Sequence, residues 1–554
     1  MRKQPACGGK FLNIRVQRGM PARETLMKSY IYCVVTFVVL LFGLRIYPSA
    51  DQPPLQPLQF HVRISSEVKE SLVSGRLIVL LSTKQDTEKA LSPGFGDDAE
   101  SVWLAAKEIH DLKLGEEVEI GPGNIAFPRP LEAAPPGDYQ AMAVLDVNHD
   151  YAYRGLHGGD LRSQIVPLKH LDPARSKAVD LVLTQRVTDS PITLPPSGEL
   201  LEFVSPSLSA FWGRPIAMRA VILLPPSYGR EKQRTYPVVY WTHGFGGHLK
   251  YLAKSVAPRY EQMMVQHKIP EMIYVFLDES CPGGTHEFAD SVNNGPWGKA
   301  LTKELIPYLE GKYRMYGRAE GRLLTGHSSG GWAALWLQIA YPTFFGGTWP
   351  TSPDPADFRD FIGIDLHRGS QTNFYHKSDG SPRPLVRMNG HEAMSLEQTI
   401  RQEEVMGEEG GQFESFEWVF SPRGQDGRPQ KLFDRQSGQV DPAVEQAWKK
   451  YDIAEILRKN AVRLRPLLQD KIHLTVGKAD TFHLDESAHQ LESVLKELGI
   501  RAQFSYLEGR NHFDLFDGGL EEQIAREMEK TAHKEHASRG LAHSPRTVSV
   551  SNFR

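Results

Sequence analysis

The chain has 554 residues, 64 of them Lys or Arg against 67 Asp or Glu, for a formal charge of −3, and 40% are hydrophobic. That length exceeds one ordinary core and calls for two or more domains. The balanced charge leaves no basic surplus for nucleic acid, and the hydrophobic content is that of a globular protein.

The first 50 residues stand apart. Tyr30 to Leu44 (YIYCVVTFVVLLFGL) carries no charge, and Arg2, Lys3, Lys10, Arg15, Arg18, Arg23 and Lys28 precede it against only Glu24. A basic region before a short apolar run has the pattern of a secretory signal. The run falls short of the roughly 20 residues that span a bilayer. Residues 1–50 therefore read as a signal peptide, with a membrane anchor at residues 30–44 as the alternative. Met27 offers a second start that leaves a signal of ordinary length. The positive-inside rule puts everything after residue 50 outside the cytoplasm, periplasmic or secreted. Cys7 and Cys33 lie in or before the signal, so Cys281 has no partner for a disulfide in a processed chain.

Residues 51–187 read as an all-β, sandwich-like domain. Short β-rich runs (Phe60–Ile64, Gly75–Leu81, Glu117–Ile120, Tyr139–Leu145, Val179–Leu183) alternate with turn signals such as Pro93-Gly94, Pro122-Gly123 and Pro135-Pro136-Gly137. No aromatic platform there marks a sugar site. Asp146-Val-Asn-His-Asp150 lacks the glycine and distant glutamate of a calcium loop and reads as a polar turn.

A Pro/Ser-rich linker at 188–200 opens the second domain, 188–532. Strands and helices alternate through it, which predicts a mostly parallel sheet with helices on both faces. Strands are expected at Leu201–Ser205, Ile216–Leu224, Tyr236–Thr242 and Met272–Leu277. Directly after the third comes His243-Gly244-Phe245-Gly246-Gly247, a glycine-rich loop able to offer backbone N–H groups at Phe245 or Gly246; His243 is a candidate for substrate binding, with a brace for that loop as the alternative. Asp278 and Glu279 end the fourth strand, and Asn293, Asn294 and Trp297 follow. All five are candidates for substrate binding at the active end of the sheet, and all are also explicable as loop and turn residues.

Glu320 to Thr325 reads as a buried strand and Gly331 to Ala340 as a helix with a broad apolar face. Between them stands Gly326-His327-Ser328-Ser329-Gly330. A G-x-S-x-G on a strand–turn–helix is a nucleophile elbow. It puts the Ser328 hydroxyl at the strand's end, over a helix N-terminus whose N–H groups face developing negative charge. Ser329 supplies one such N–H, and His327 is a further pocket candidate. More than a hundred residues then separate Thr348–Ser352 from the strand at Ile472. This insertion, about 353–466, is expected to be a cap or one wall of the pocket. It includes a helical piece, Pro442 to Arg458. Asp480 falls just past the strand of Lys471–Gly477, where catalytic groups sit in open α/β sheets; a helix cap is the plainer alternative, and Asp485 is the rival acid. His512 follows the strand at Phe504 and a Gly509-Arg-Asn turn. The tail, 533–554, is polar and aperiodic and is expected to be disordered.

Val221-Ile-Leu-Leu-Pro-Pro-Ser-Tyr228, the loop His243–Gly247, Asn293-Asn-Gly-Pro-Trp297, Gly326–Gly331 and Gly509-Arg-Asn-His512 together resemble one family of α/β-hydrolase esterases. It includes enterochelin esterase-like proteins, feruloyl and acetyl-xylan esterases, S-formylglutathione hydrolases and mycolyltransferases. The resemblance spans about Glu199 to Glu529. It implies an α/β-hydrolase fold and a serine carboxylic-ester hydrolase with the triad Ser328, Asp480 and His512, in the chain order Ser…Asp…His. The oxyanion hole falls on the backbones of Phe245 or Gly246 and Ser329. Such chemistry needs no metal or cofactor, and the chain contains no H-E-x-x-H and no C-x-x-C. The expected partner is a small-molecule or polysaccharide-linked ester. An acyltransferase using the same triad, or a binding protein on a hydrolase fold, are the alternatives.

Overall fold

The computed structural model describes residues 56–533 apart from 69–71, 85–101, 149–155, 190 and 408–410. The expected signal segment, and the expected tail after His533, lie outside the described residues. Gln56 onward forms a single compact unit.

The first part is all β. Nine strands, β1 (Phe60–Ile64), β2 (Leu72–Ser82), β3 (Val102–Lys113), β4 (Glu117–Ile120), β5 (Ile125–Phe127), β6 (Gly137–Asp146), β7 (Leu161–Ser163), β8 (Val166–Leu171) and β9 (Val179–Arg186), bond into one sheet. Its order is β4-β1-β9-β7-β6-β2-β3-β5, with β8 branching from β6. Phe60 and Val62 of β1, Leu77, Val79 and Leu81 of β2, Trp103 of β3 and Leu181 of β9 share one apolar cluster. Strands from distant positions in the sheet thus enclose a common interior. The alternate residues of β2, Ile78 and Leu80, face the other way and join a different cluster, as the two-residue period of a strand requires.

The second sheet has eight strands: β10 (Gly198–Val204), β11 (Ala217–Leu223), β12 (Val238–Thr242), β13 (Ile273–Leu277), β14 (Arg322–His327), β15 (Gly347–Thr351), β16 (His473–Gly477) and β17 (Gln503–Leu507). The order is β10-β11-β13-β12-β14-β15-β16-β17. The first two pairings are antiparallel and the rest parallel. Every residue of β13 is buried, the continuous apolar run that a strand covered on both faces demands. Tyr240, Val275 and Leu324 pack with Leu301, Ile306 and Ala333 on one face. Val239, Phe276 and Leu323 pack with Leu252, Tyr260 and Met528 on the other. Each valine, leucine, isoleucine, methionine or phenylalanine among them contributes roughly 1.5–3 kcal/mol relative to exposure. This is the doubly covered α/β-hydrolase sheet.

The helices that matter below are α1 (Pro206–Trp212), α2 (Ser329–Ala340), α3 (Leu396–Gly407), α4 (Gln412–Phe420), α5 (Leu484–Glu497) and α6 (Leu520–His533). The piece expected at Pro442–Arg458 is two helices, Pro442–Trp448 and Ile453–Lys459. Asp452 caps the second by accepting the N–H of Glu455.

The insertion lies between the two sheets. Phe361, Leu396, Ile400, Val405, Met406 and Phe413 share one cluster with Ile78, Leu80, Leu104 and Val144 of the first sheet and with Leu474 and Val476 of the second. Arg76 of β2 caps the end of α3, donating to the carbonyls of Glu404 (2.5 Å) and Val405 (2.9 Å). A cation there meets both the orphan carbonyls and the negative end of the helix.

Candidate active site

The elbow is enforced by steric exclusion. Ser328 links β14 to α2 with φ 60° and ψ −127°, a strained conformation for a residue with a side chain. A Cβ on Gly326 would lie 2.2 Å from the Gly330 carbonyl oxygen, and one on Gly330 would lie 2.4 Å from that of Thr242. Only glycine fits at either flank. Thr242 Oγ1 donates to the Gly330 carbonyl at 2.6 Å, and the Ser328 N–H donates to Thr351 O at 3.0 Å. The turn is therefore tied to the strands on both sides.

Asp480 follows β16 and is wholly buried. Its Oδ2 lies 3.0 Å from Nδ1 of His512, and its Oδ1 accepts the N–H of Phe482 at 2.9 Å. Burial alone would raise this carboxyl. The charge and hydrogen bond of His512, with the Phe482 N–H, overcome that and hold it at about 2. Asp485 instead pairs with Arg387 at 3.1 Å. The same guanidinium donates to the Asp480 carbonyl at 2.8 Å, so a residue of the insertion fixes the acid's loop. His512 is 4% exposed, and its ring packs edge-on against Phe482.

Ser328 and His512 line one cavity of about 540 Å³, together with Phe245, Gly246, His243 and His327. The glycine loop comes close enough that a Cβ on Gly244 would stand 3.0 Å from Cβ of Ser328. The imidazole of His243 accepts the Glu279 N–H on Nε2 at 2.9 Å, and its Nδ1 lies 2.9 Å from Gly244 O. It braces the loop. His327 Nδ1 lies 3.1 Å from Thr351 Oγ1. Burial, then the neighbouring His512, push His327 down to about 3, so its ring is neutral.

The other candidate binding residues are not in that cavity. Asp278, Asn294 and Trp297 line a second cavity of about 570 Å³. Asp278 is buried and bound by Arg219 at 2.8 Å. Burial opposes its charge, but His243, Arg219 and Ser280 together hold it well below the usual range. Glu279 and Asn293 are fully buried. Asn293 ties its loop to the insertion through Ser421 O at 2.9 Å. Burial, with Asp278 and Asp354 nearby, pushes the Glu279 carboxyl well up.

One residue escaped sequence reasoning. Asp354, three residues past β15, accepts a hydrogen bond from Ser329 Oγ at 2.6 Å, and its N–H donates to the Ser328 carbonyl at 3.3 Å. Burial pushes its carboxyl up to about 6. No motif announces it, because the contact joins the loop after β15 to the first turn of α2.

Residues 213–524, more than half of the chain, match the esterase family described as "Putative esterase". The chain belongs to that family. Its second sheet is that of an α/β-hydrolase. Esterases of Mycobacterium tuberculosis strains CDC 1551 / Oshkosh and ATCC 25618 / H37Rv are 28% identical over 149 residues, 26% of this chain and 31% of theirs. The chain thus spans about a third of the length of the curated relatives it matches. Solved structures similar to it include a ferulic acid esterase (16% identity, 61% of this chain and 99% of that one, TM-score 0.39). An S-formylglutathione hydrolase from Agrobacterium tumefaciens is another (14% identity, 60% and 95%, TM-score 0.38).

Proposed function

We propose that the chain is a serine esterase acting through an acyl-enzyme, with Ser328 as nucleophile, His512 as base and Asp480 as its orienting acid. The observation that carries this is the Asp480–His512 bond of 3.0 Å beside a strained serine that lines the same cavity as that histidine. A serine hydroxyl is a weak nucleophile and needs a base to take its proton. His512 accepts it on Nε2 and returns it to the leaving alcohol, while Asp480 fixes Nδ1–H and stabilises the imidazolium. The tetrahedral oxyanion takes hydrogen bonds from the N–H of Ser329 and that of Phe245 or Gly246. Losing one such donor lowers the rate by about 10²–10³. Water then releases the acid.

The test is hydrolysis of a panel of p-nitrophenyl and feruloyl esters by wild type and Ser328→Ala. Turnover that survives in the folded variant refutes the assignment. Adding alcohol acceptors to the same assay separates hydrolysis from acyl transfer. The basic and apolar pattern before residue 50 supports export of the esterase. Cell fractionation tests this, and a cytoplasmic chain would refute it.

A further inference from the structure

We propose that the insertion is part of the catalytic apparatus: Arg387, which it carries, is a positioning residue that sets the place of Asp480 through the backbone of the acid's loop. The proposal rests on the serine-esterase reading above.

The acid's loop is held from both sides. Lys478 to His483 crosses from β16 to α5, and His483 at its end sits at φ 59°. A side chain stays in that left-handed region only where its surroundings compel it. On one side the loop is tied to the chain that carries His512. The Lys478 N–H donates to Leu507 O at 2.9 Å and the Ala479 N–H to Arg510 O at 3.0 Å. The other side meets the insertion, in the hairpin of Pro384–Met388 and His391–Ser395. The main-chain N–H of Arg387 donates to Thr481 O at 2.7 Å. Its guanidinium donates to Asp480 O from Nε at 3.1 Å and from Nη2 at 2.8 Å. Nη2 also lies 3.1 Å from Asp485 Oδ1 and 3.4 Å from Lys478 O.

The hairpin has a firm base. Leu385, Val386 and Met394 are buried in the cluster that holds Leu474 and Val476 of β16 and Ala488 and Leu491 of α5. Arg387 thus stands on the same core as the strand and the helix that the acid's loop joins.

What the contact does follows from the atoms it meets. The guanidinium binds the carbonyl of Asp480, not its carboxylate. Burial raises that carboxyl, and His512, the Phe482 N–H and the Ser352 hydroxyl lower it. Arg387 therefore governs where the carboxylate stands rather than how acidic it is. Its side chain is 24% exposed and that of Asp485 16%, so little water competes for these bonds. A guanidinium reaches several acceptors with one rigid fork, whereas an ammonium is a point charge on a flexible stem. Placement matters because Asp480 Oδ2 stands 3.0 Å from Nδ1 of His512. A misplacement of about 1 Å in such a constellation costs about 10² in rate.

The experiment is hydrolysis of p-nitrophenyl acetate by the full chain as Arg387→Ala and Arg387→Lys, each in the wild-type and in the Asp480→Asn background. In the wild-type background Arg387→Ala should lower kcat by about 10–100-fold with KM within about twofold, and Arg387→Lys should lower it by about tenfold. In the Asp480→Asn background both substitutions should change kcat by less than about twofold, because the group they act through has already been disabled. Guanidinium added below denaturing concentrations should restore part of the rate to Arg387→Ala, which a general loss of structure would not allow. Arg387→Lys keeps the charge and most of the stem, and it carries the test if Arg387→Ala fails to fold. Wild-type turnover by the Arg387 variants, or an equal loss in both backgrounds, overturns the proposal and leaves the esterase reading standing. Wild-type turnover by Asp480→Asn overturns that reading and the proposal with it.

Discussion

Neutralising Asp354 should separate activity from stability. Asp354→Asn keeps the side chain's size and leaves an oxygen to accept from Ser329 Oγ, now 2.6 Å away. What it removes is charge. A hydrogen bond to a charged group contributes about 1.5–3 kcal/mol and a neutral one about 0.5–1.5, a difference of about 1 kcal/mol. If that steadies Ser329, whose N–H is the proposed oxyanion donor, kcat on p-nitrophenyl acetate should fall about fivefold at pH 8 with KM unchanged. Burial raises Asp354 to about 6, so wild type is itself about nine-tenths protonated there at pH 5. The two rates should then agree within about twofold. His512 and Asp480 lie within electrostatic reach of Asp354. Glu279 and Glu287 face it from the loop after β13, and burial pushes both well up.

Stability should move the other way. The folded carboxyl at about 6 lies above the ordinary 3.8, so the folded state binds the proton more tightly than the unfolded one. Wild type therefore loses stability as pH rises from about 4 to about 6, by about 3 kcal/mol, and is flat above that. The asparagine variant escapes this loss and should melt higher at pH 8. A rate ratio that does not change with pH, or a variant that loses activity and melting temperature together, would refute the reasoning.

Asp480→Asn should lower turnover by about 10⁴, the effect of forcing a triad histidine into the wrong tautomer. Asp480 is held at about 2, below its unfolded value. It contributes stability above about pH 4 that is lost as pH falls toward 2, and the variant's acid unfolding curve should lack that step. Gly330→Ala puts a Cβ 2.4 Å from Thr242 O. Overpacking of this kind destabilises by about 1–3 kcal/mol or more, and a melting temperature equal to wild type would show that the elbow yields.

The elbow was legible because its constraints are local: a buried strand, two glycines and a helix follow one another in the chain. Asp480 and His512 were legible because each ends a strand in a sheet that gathers strand ends on one side. Which cavity a strand-end residue lines was not legible. Asp278 and His243 end adjacent strands, yet Asp278 turns toward Arg219 on β11, a contact set by long-range pairing. Strand β3 was missed because Ala105-Ala106-Lys107-Glu108 lacks the two-residue alternation. Its first half is buried on both faces, Leu104 and Ala106 against the insertion and Trp103 and Ala105 in the β-domain's own core, while in its second half only Ile109 and Leu112 are buried. Asp354 was missed because nothing in Ser352-Pro-Asp-Pro355 marks the helix turn it meets.

The insertion was expected to be a cap, and its packing decides what kind of motion it can make. Its phenylalanines and leucines are shared with both sheets, and Arg76 pins the end of α3. Swinging α4, whose Gln412 lines the Ser328 cavity, outward would drag apolar side chains out of the core it shares with both sheets. The entrance is therefore built standing open to a fixed width. Selection among esters falls to what threads that gap, and the turnover rate should not depend on solvent viscosity, as it would if a hinge had to open and shut each cycle.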